Sequence, residues 1–150
     1  MMMNLTSFNF KLLHLLLPTK ARVHHHTPNT SPLCSHCTEI AAEDMKHALL
    51  HCSYNNGTGT ALTSIIQRYS PSTSPDALLR LEFKDLPEDL ESPVTFFTST
   101  ILLEIWERRV SKSKITLYDI RATLEARCLL LRETRFQENV ETLLEMTNYL

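Results

Sequence analysis

The sequence predicts a mostly α-helical fold in which a small Cys/His module precedes a helical bundle or a long helical hairpin. Three observations lead there. Cys34, Cys37, His47, His51 and Cys52 crowd into residues 31–56. Residues 94–150 hold no proline and no glycine and carry apolar side chains at helical spacing. Apolar residues make up 43% of the 150 positions, enough for a packed core. Four regions follow: an N-terminal helix with a basic linker (1–30), the Cys/His module (31–56), short helices with an acidic, proline-punctuated linker (57–93) and a helical body (94–150).

Residues 4–17 read as a short helix with Phe8, Leu12, Leu15 and Leu16 on one face, ended by Pro18. The run 8–17 has the look of a signal core, but Asn9, Lys11 and His14 interrupt it and no small-residue cleavage site precedes Pro18. No stretch reaches the ~18 apolar residues that a spanning helix needs. A chain with no membrane contact is expected, inside the cell, nuclear or cytoplasmic. Thr19 to Arg22 is a basic exit, and His24-His25-His26 reads as a polar linker, since adjacent side chains on a loop do not converge on one ion.

In the module, Cys34 and Cys37 form a C-x2-C turn, followed by His47 and Cys52 at C-x2-C-x9-H-x4-C spacing. A tight turn aims two sulfurs inward, and a following helix returns two more ligands. Three thiols and an imidazole can close a tetrahedral zinc shell, one structural ion per chain. His51 offers an alternative C-x2-C-x9-H-x3-H shell, because it shares a helical face with His47. Cys52 lies about 140° from His47 on a regular helix. It therefore needs an unwound last turn, which the run Ser53-Tyr54-Asn55-Asn56-Gly57 permits. Thiolate is the softer donor, so Cys52 is favoured. His36 is expected to point outward. Glu43 and Asp44 are expected to favour the helix N-terminus rather than to form an acid–base pair.

Gly57 and Gly59 mark a surface loop before a helix over 61–69, with Leu62, Ile65 and Ile66 inward. Asp76 is expected to cap one or two turns over 77–83. The body then begins at Val94. Phe97, Ile101 and Ile105 form one row, and Leu102, Trp106 and Val110 a second. Ser111 to Ser113 breaks that helix. Leu117, Ile120, Leu124, Cys128 and Leu131 form the next stripe, with Cys128 as a packing residue. Phe136, Val140, Leu143 and Met146 or Thr147 continue out of phase, through either a kink near 133–135 or a new helix. Arg108, Arg109, Lys112, Lys114, Arg121, Arg127, Arg132 and Arg135 decorate this body. Arg121, Arg132 and Arg135 share a face, read mainly as solvated with pairs such as Arg121–Glu125.

The net charge of −2 argues against a general nucleic-acid coat. The charge is unevenly placed, however. Residues 1–38 hold Lys11, Lys20 and Arg22 and no acidic residue, whereas 39–106 hold four basic and ten acidic ones. No Gly-rich phosphate loop, nucleophile elbow or acidic pair at a strand end is visible. No catalytic residue, enzymatic activity or small-molecule substrate is expected. A catalytic zinc would require three protein ligands and a bound water.

Three stretches carry a resemblance. They are Phe10-Lys11-Leu12-Leu13-His14-Leu15-Leu16-Leu17-Pro18-Thr19-Lys20-Ala21-Arg22-Val23, Ser31-Pro32-Leu33-Cys34-Ser35-His36-Cys37, and Glu43-Asp44-Met45-Lys46-His47-Ala48-Leu49-Leu50-His51-Cys52. Together they resemble the zinc-binding region at the C-terminal end of LINE-type (non-LTR) retrotransposon reverse transcriptases. Trp106-Glu107-Arg108-Arg109 and Leu131-Arg132-Glu133-Thr134-Arg135-Phe136 are also similar to the tails of these polyproteins. The resemblance implies Cys34, Cys37, His47 and Cys52 as ligands, and RNA or DNA as partner during target-primed reverse transcription. The polymerase fingers and palm and the endonuclease of that family have no counterpart here. A fragment is therefore expected, with Met1-Met2-Met3 a fortuitous start inside a longer element and the remainder of a reverse transcriptase as a further partner. Lys11, Lys20, Arg22 and Lys46 are the expected phosphate contacts near the module. The alternative is a protein–protein adaptor using the Phe8/Leu12/Leu15 or Leu117/Leu124/Leu131 face.

Overall fold

The computed structural model describes residues 3–131 and 137–150. Its order is α1 (Leu5–Leu13), α2 (Lys20–His26), the Cys/His loop, a widened turn (His47–His51), a 3-10 turn (Ser53–Asn55), α3 (Thr58–Tyr69), α4 (Pro75–Leu79), α5 (Glu88–Val110), α6 (Leu117–Leu131) and α7 (Gln137–Thr147). The fold is mostly α-helical with the Cys/His group ahead of the helical body, as the sequence pattern predicts. Among the described residues the only β pairing is one isolated antiparallel bridge, Leu33 to Ala42.

α5 is the central element. Phe97, Ile101, Leu102, Leu103, Ile105 and Trp106 are buried, and so are Thr98, Ser99 and Thr100 on its other sides. A helix covered all round belongs in the middle of a bundle. α1, α3, α6, α7 and the widened turn all pack on it. It starts at Glu88, six residues ahead of the expected Val94, and carries Pro93 inside it. Both expected rows face the core except at Val110, which is 65% exposed. Burying each large side chain there contributes about 1.5–3 kcal/mol.

α1 begins where the Asn4 side chain accepts from the Ser7 N–H, at 2.8 Å. It ends before the expected Leu17, because Leu15 takes a left-handed conformation with φ 55°. Leu15 is thereby thrown outward, 63% exposed, while Leu17 enters the core beside Phe8 and Leu12. The expected polar linker at His24–His26 is instead the last turn of α2, capped by the Thr19 hydroxyl. α4 is capped by Ser74 rather than Asp76, with Pro75 in its first turn.

Ile120, Leu124 and Cys128 of α6 are buried, and Val140, Leu143 and Met146 of α7 close over them. α7 packs on both α5 and α6. Arg121 pairs with Glu125 at 2.9 Å on a half-exposed face. Arg132, Arg135, Phe136 and the expected kink at 133–135 lie outside the described residues, as does the Leu131 side chain. No described helix is long and apolar enough to cross a membrane.

Candidate metal centre

Pro32 to Glu43 closes on itself as a narrow loop. The Cys34 N–H donates to the Ala41 carbonyl at 2.9 Å, and the Glu43 N–H to the Pro32 carbonyl at 2.9 Å. This brings the C-x2-C turn back against the segment that follows. Inside the turn, the His36 N–H points at Cys34 Sγ, 3.4 Å away. Asp44 starts the next segment, its carboxylate accepting from the His47 N–H at 2.8 Å.

The expected regular helix then widens. The Cys52 N–H donates to the His47 carbonyl five residues back, at 2.8 Å. An i to i+5 turn winds less per residue than an α-turn. Cys52 therefore comes round to the side of His47, and leaves the turn with an extended ψ of 130°. Of the two alternatives for the fourth position, Cys52 is buried within the group and His51 is exposed. The widened turn is held from behind by α3. Gly59 sits inside that helix, not in a surface loop as expected, and is buried against the backbone of Leu50.

The structure brings Cys34, Cys37, His47 and Cys52 together, their ligand atoms all within 4.8 Å of one another. The Cys34 and Cys52 sulfurs are 3.8 Å apart, and Cys37 Sγ is 3.5 Å from His47 Nε2. None of these three cysteines is in a disulfide. Such a group can hold a metal ion. Burial pushes the Cys34 thiol up. Hydrogen bonds from the His36 and Cys37 backbone and from the Arg109 and His47 side chains outweigh that and bring it down to about 6. Cys37 is pushed up to about 11, first by burial and then by its neighbours Cys34 and Cys52, against the bond to Glu39.

A buried polar cluster stands directly behind Cys34, and the sequence pattern did not reveal it. Arg109, expected on the solvated surface of the body, is 2% exposed. Its Nη2 lies 2.8 Å from Glu43 Oε2 and 3.6 Å from Cys34 Sγ, and its Nη1 3.2 Å from Asn55 Oδ1. Burial pushes the Arg109 guanidinium down, but bonds to Cys52 and Cys34 and the charges of Cys52 and Glu43 raise it on balance. Glu43 does not serve its own helix start. One oxygen takes the Arg109 bond, and the other accepts from the Lys20 N–H that opens α2, at 3.2 Å. His36 points inward, contrary to expectation. Its Nε2 donates to the Arg109 carbonyl at 3.0 Å, and its ring meets Tyr54 edge-on. Tyr54 and Asn56 in turn donate to the Ser113 and Ile115 carbonyls beyond α5.

The four expected phosphate contacts are only partly gathered. Arg22 and Lys46 line one open cleft of about 600 Å³, together with His25, His26 and Arg80. Lys11 and Lys20 do not line it, although both are partly exposed. Asp44 and Asp76 share the cleft, and Lys46 pairs with Asp76 at 3.1 Å. Comparison with protein-family models, curated proteins and solved structures finds no match for this chain.

Proposed function

We propose that the chain is a zinc-stabilised, non-catalytic helical module that binds nucleic acid. One observation carries the zinc reading. A tetrahedral shell with metal–sulfur bonds of about 2.3 Å and metal–nitrogen bonds of about 2.0–2.1 Å has sulfur–sulfur edges of about 3.8 Å and sulfur–nitrogen edges of about 3.5 Å. The Cys34–Cys52 and Cys37–His47 separations are 3.8 Å and 3.5 Å. Three thiolates and one imidazole suit zinc in softness. They also fill all four positions, so water and substrate have no place to bind, and the ion serves the fold rather than a reaction. An enzyme with catalytic zinc would need one of the four to be absent.

Nucleic acid is the partner favoured by the resemblance to LINE-type reverse transcriptases and by the cleft that joins Arg22, Lys46 and Arg80 beside the metal loop. Lys11 and Lys20 would add contacts on the same N-terminal third. The adaptor reading is weakened where it was most specific: Phe8, Leu12 and Leu124 are already in the chain's own core. Binding of a single-stranded RNA by the full chain, titrated from low to high salt, tests the reading. Log affinity is expected to fall linearly with log salt. Arg22→Ala and Lys46→Ala should each reduce that slope by about one while zinc content stays unchanged. An affinity that salt does not alter would overturn nucleic-acid binding and leave the zinc module standing.

A further inference from the structure

We propose that Arg109 is a positioning residue of the metal centre: it donates from α5 to the Cys34 thiolate, and so makes metal binding depend on the helical body. The proposal rests on the zinc reading above. Three thiolates around a divalent ion leave one negative charge uncompensated. In a dry setting that charge is costly unless something of opposite sign stands against it. Arg109 stands there, buried at the end of α5 and 75 residues further along the chain than Cys34. Its planar fork reaches three acceptors at once: Cys34 Sγ, Glu43 Oε2 and Asn55 Oδ1. A lysine could not hold all three.

The surrounding bonds fix the guanidinium rather than merely accommodate it. The Arg109 carbonyl accepts from His36 inside the C-x2-C turn, so backbone and side chain of one residue hold the turn at two points, His36 and Cys34. Asn55 is locked in its own right, its Nδ2 donating to the Ala48 carbonyl at 2.8 Å. Ala48, Leu49 and Leu50 of the widened turn belong to the same apolar core as Phe97 and Ile101. A finger that folds alone supplies its own outer donors. This one takes a charged outer donor from the body, beside the backbone N–H groups of its own turn.

The test uses cobalt(II) as the probe on the full chain, with zinc affinity measured by chelator competition. Removing Arg109 alone would strand the Glu43 charge, so the main variant is Glu43→Gln with Arg109→Met. A thiolate that loses a hydrogen bond is a richer electron donor. The sulfur-to-cobalt charge-transfer band is expected to move to longer wavelength, and zinc affinity to fall about 10–100-fold. Glu43→Gln alone keeps the donor and should leave the band in place. If the double variant does not fold, Arg109→Lys should shift the band the same way by less. An unmoved band in a folded double variant, or in Arg109→Lys, with affinity within about twofold, would overturn the proposal. A wild-type chain that takes up no cobalt would instead refute the metal reading itself, and this proposal with it.

Discussion

Replacing Gly59 by alanine sets two effects against each other, and the structure decides between them. In an ordinary helix interior, Gly→Ala stabilises by about 1 kcal/mol. Here a Cβ would lie 2.7 Å from the carbonyl carbon of Leu50, and closer still to its Cα and O. Carbon atoms rest at about 3.5–4.0 Å, so the widened turn would have to retreat by about 1 Å. The obstacle is backbone, which cannot rotate away, so the upper part of the roughly 1–3 kcal/mol range for overpacking applies. Set against the helix-propensity gain, Gly59→Ala should destabilise by about 2 kcal/mol. The retreat also carries His47 and Cys52, while metal–ligand bonds tolerate only about ±0.2 Å. Weaker zinc binding should therefore accompany the loss of stability. Urea unfolding of the zinc-loaded chain and chelator competition read the two effects. A variant as stable as wild type or more so, with unchanged zinc affinity, would refute the close approach of α3 to the metal turn.

Two further outcomes follow from the same geometry. Phe97→Ala empties a fully buried position on α5 and should cost about 3–5 kcal/mol in urea unfolding. A loss below about 1 kcal/mol would mean that α5 is not the centre of the bundle. Metal binding should weaken as pH falls, because each thiol must give up its proton to the ion. Cys37, pushed up to about 11, releases its proton on binding throughout the neutral range, whereas Cys34, held at about 6, adds its own only in acid. The plot of log affinity against pH should steepen below about pH 6. A single slope from pH 8 to pH 5 would contradict that assignment.

The Cys/His group was legible because each of its residues is chemically distinctive and its spacing is short-range. Thiolate softness pointed to Cys52 over His51, and the five-residue hydrogen bond supplies the unwinding that this choice demands. The core rows of α5, α6 and α7 were legible from periodicity. What lay hidden was decided by contacts distant in sequence. Arg109 ends a helix in a run of charged residues and reads as surface, yet it is buried by partners up to 75 residues away. Gly59 resembles a loop residue beside Gly57, which does adopt a left-handed φ of 74°, but the close neighbour Leu50 is what requires it. Glu43 and Asp44 look equivalent in sequence. Only the fold shows that Asp44 caps the turn while Glu43 anchors α2 and Arg109. α2 was missed because three consecutive histidines resemble a linker more than a helical turn.

Zinc stoichiometry, measured on wild type, Cys52→Ser and His51→Ala under chelator competition, tests the central claim most directly. The account predicts one tightly held zinc per wild-type chain, lost with Cys52→Ser and retained with His51→Ala. A wild-type chain without zinc, or one whose zinc departs with His51→Ala and stays with Cys52→Ser, would contradict it.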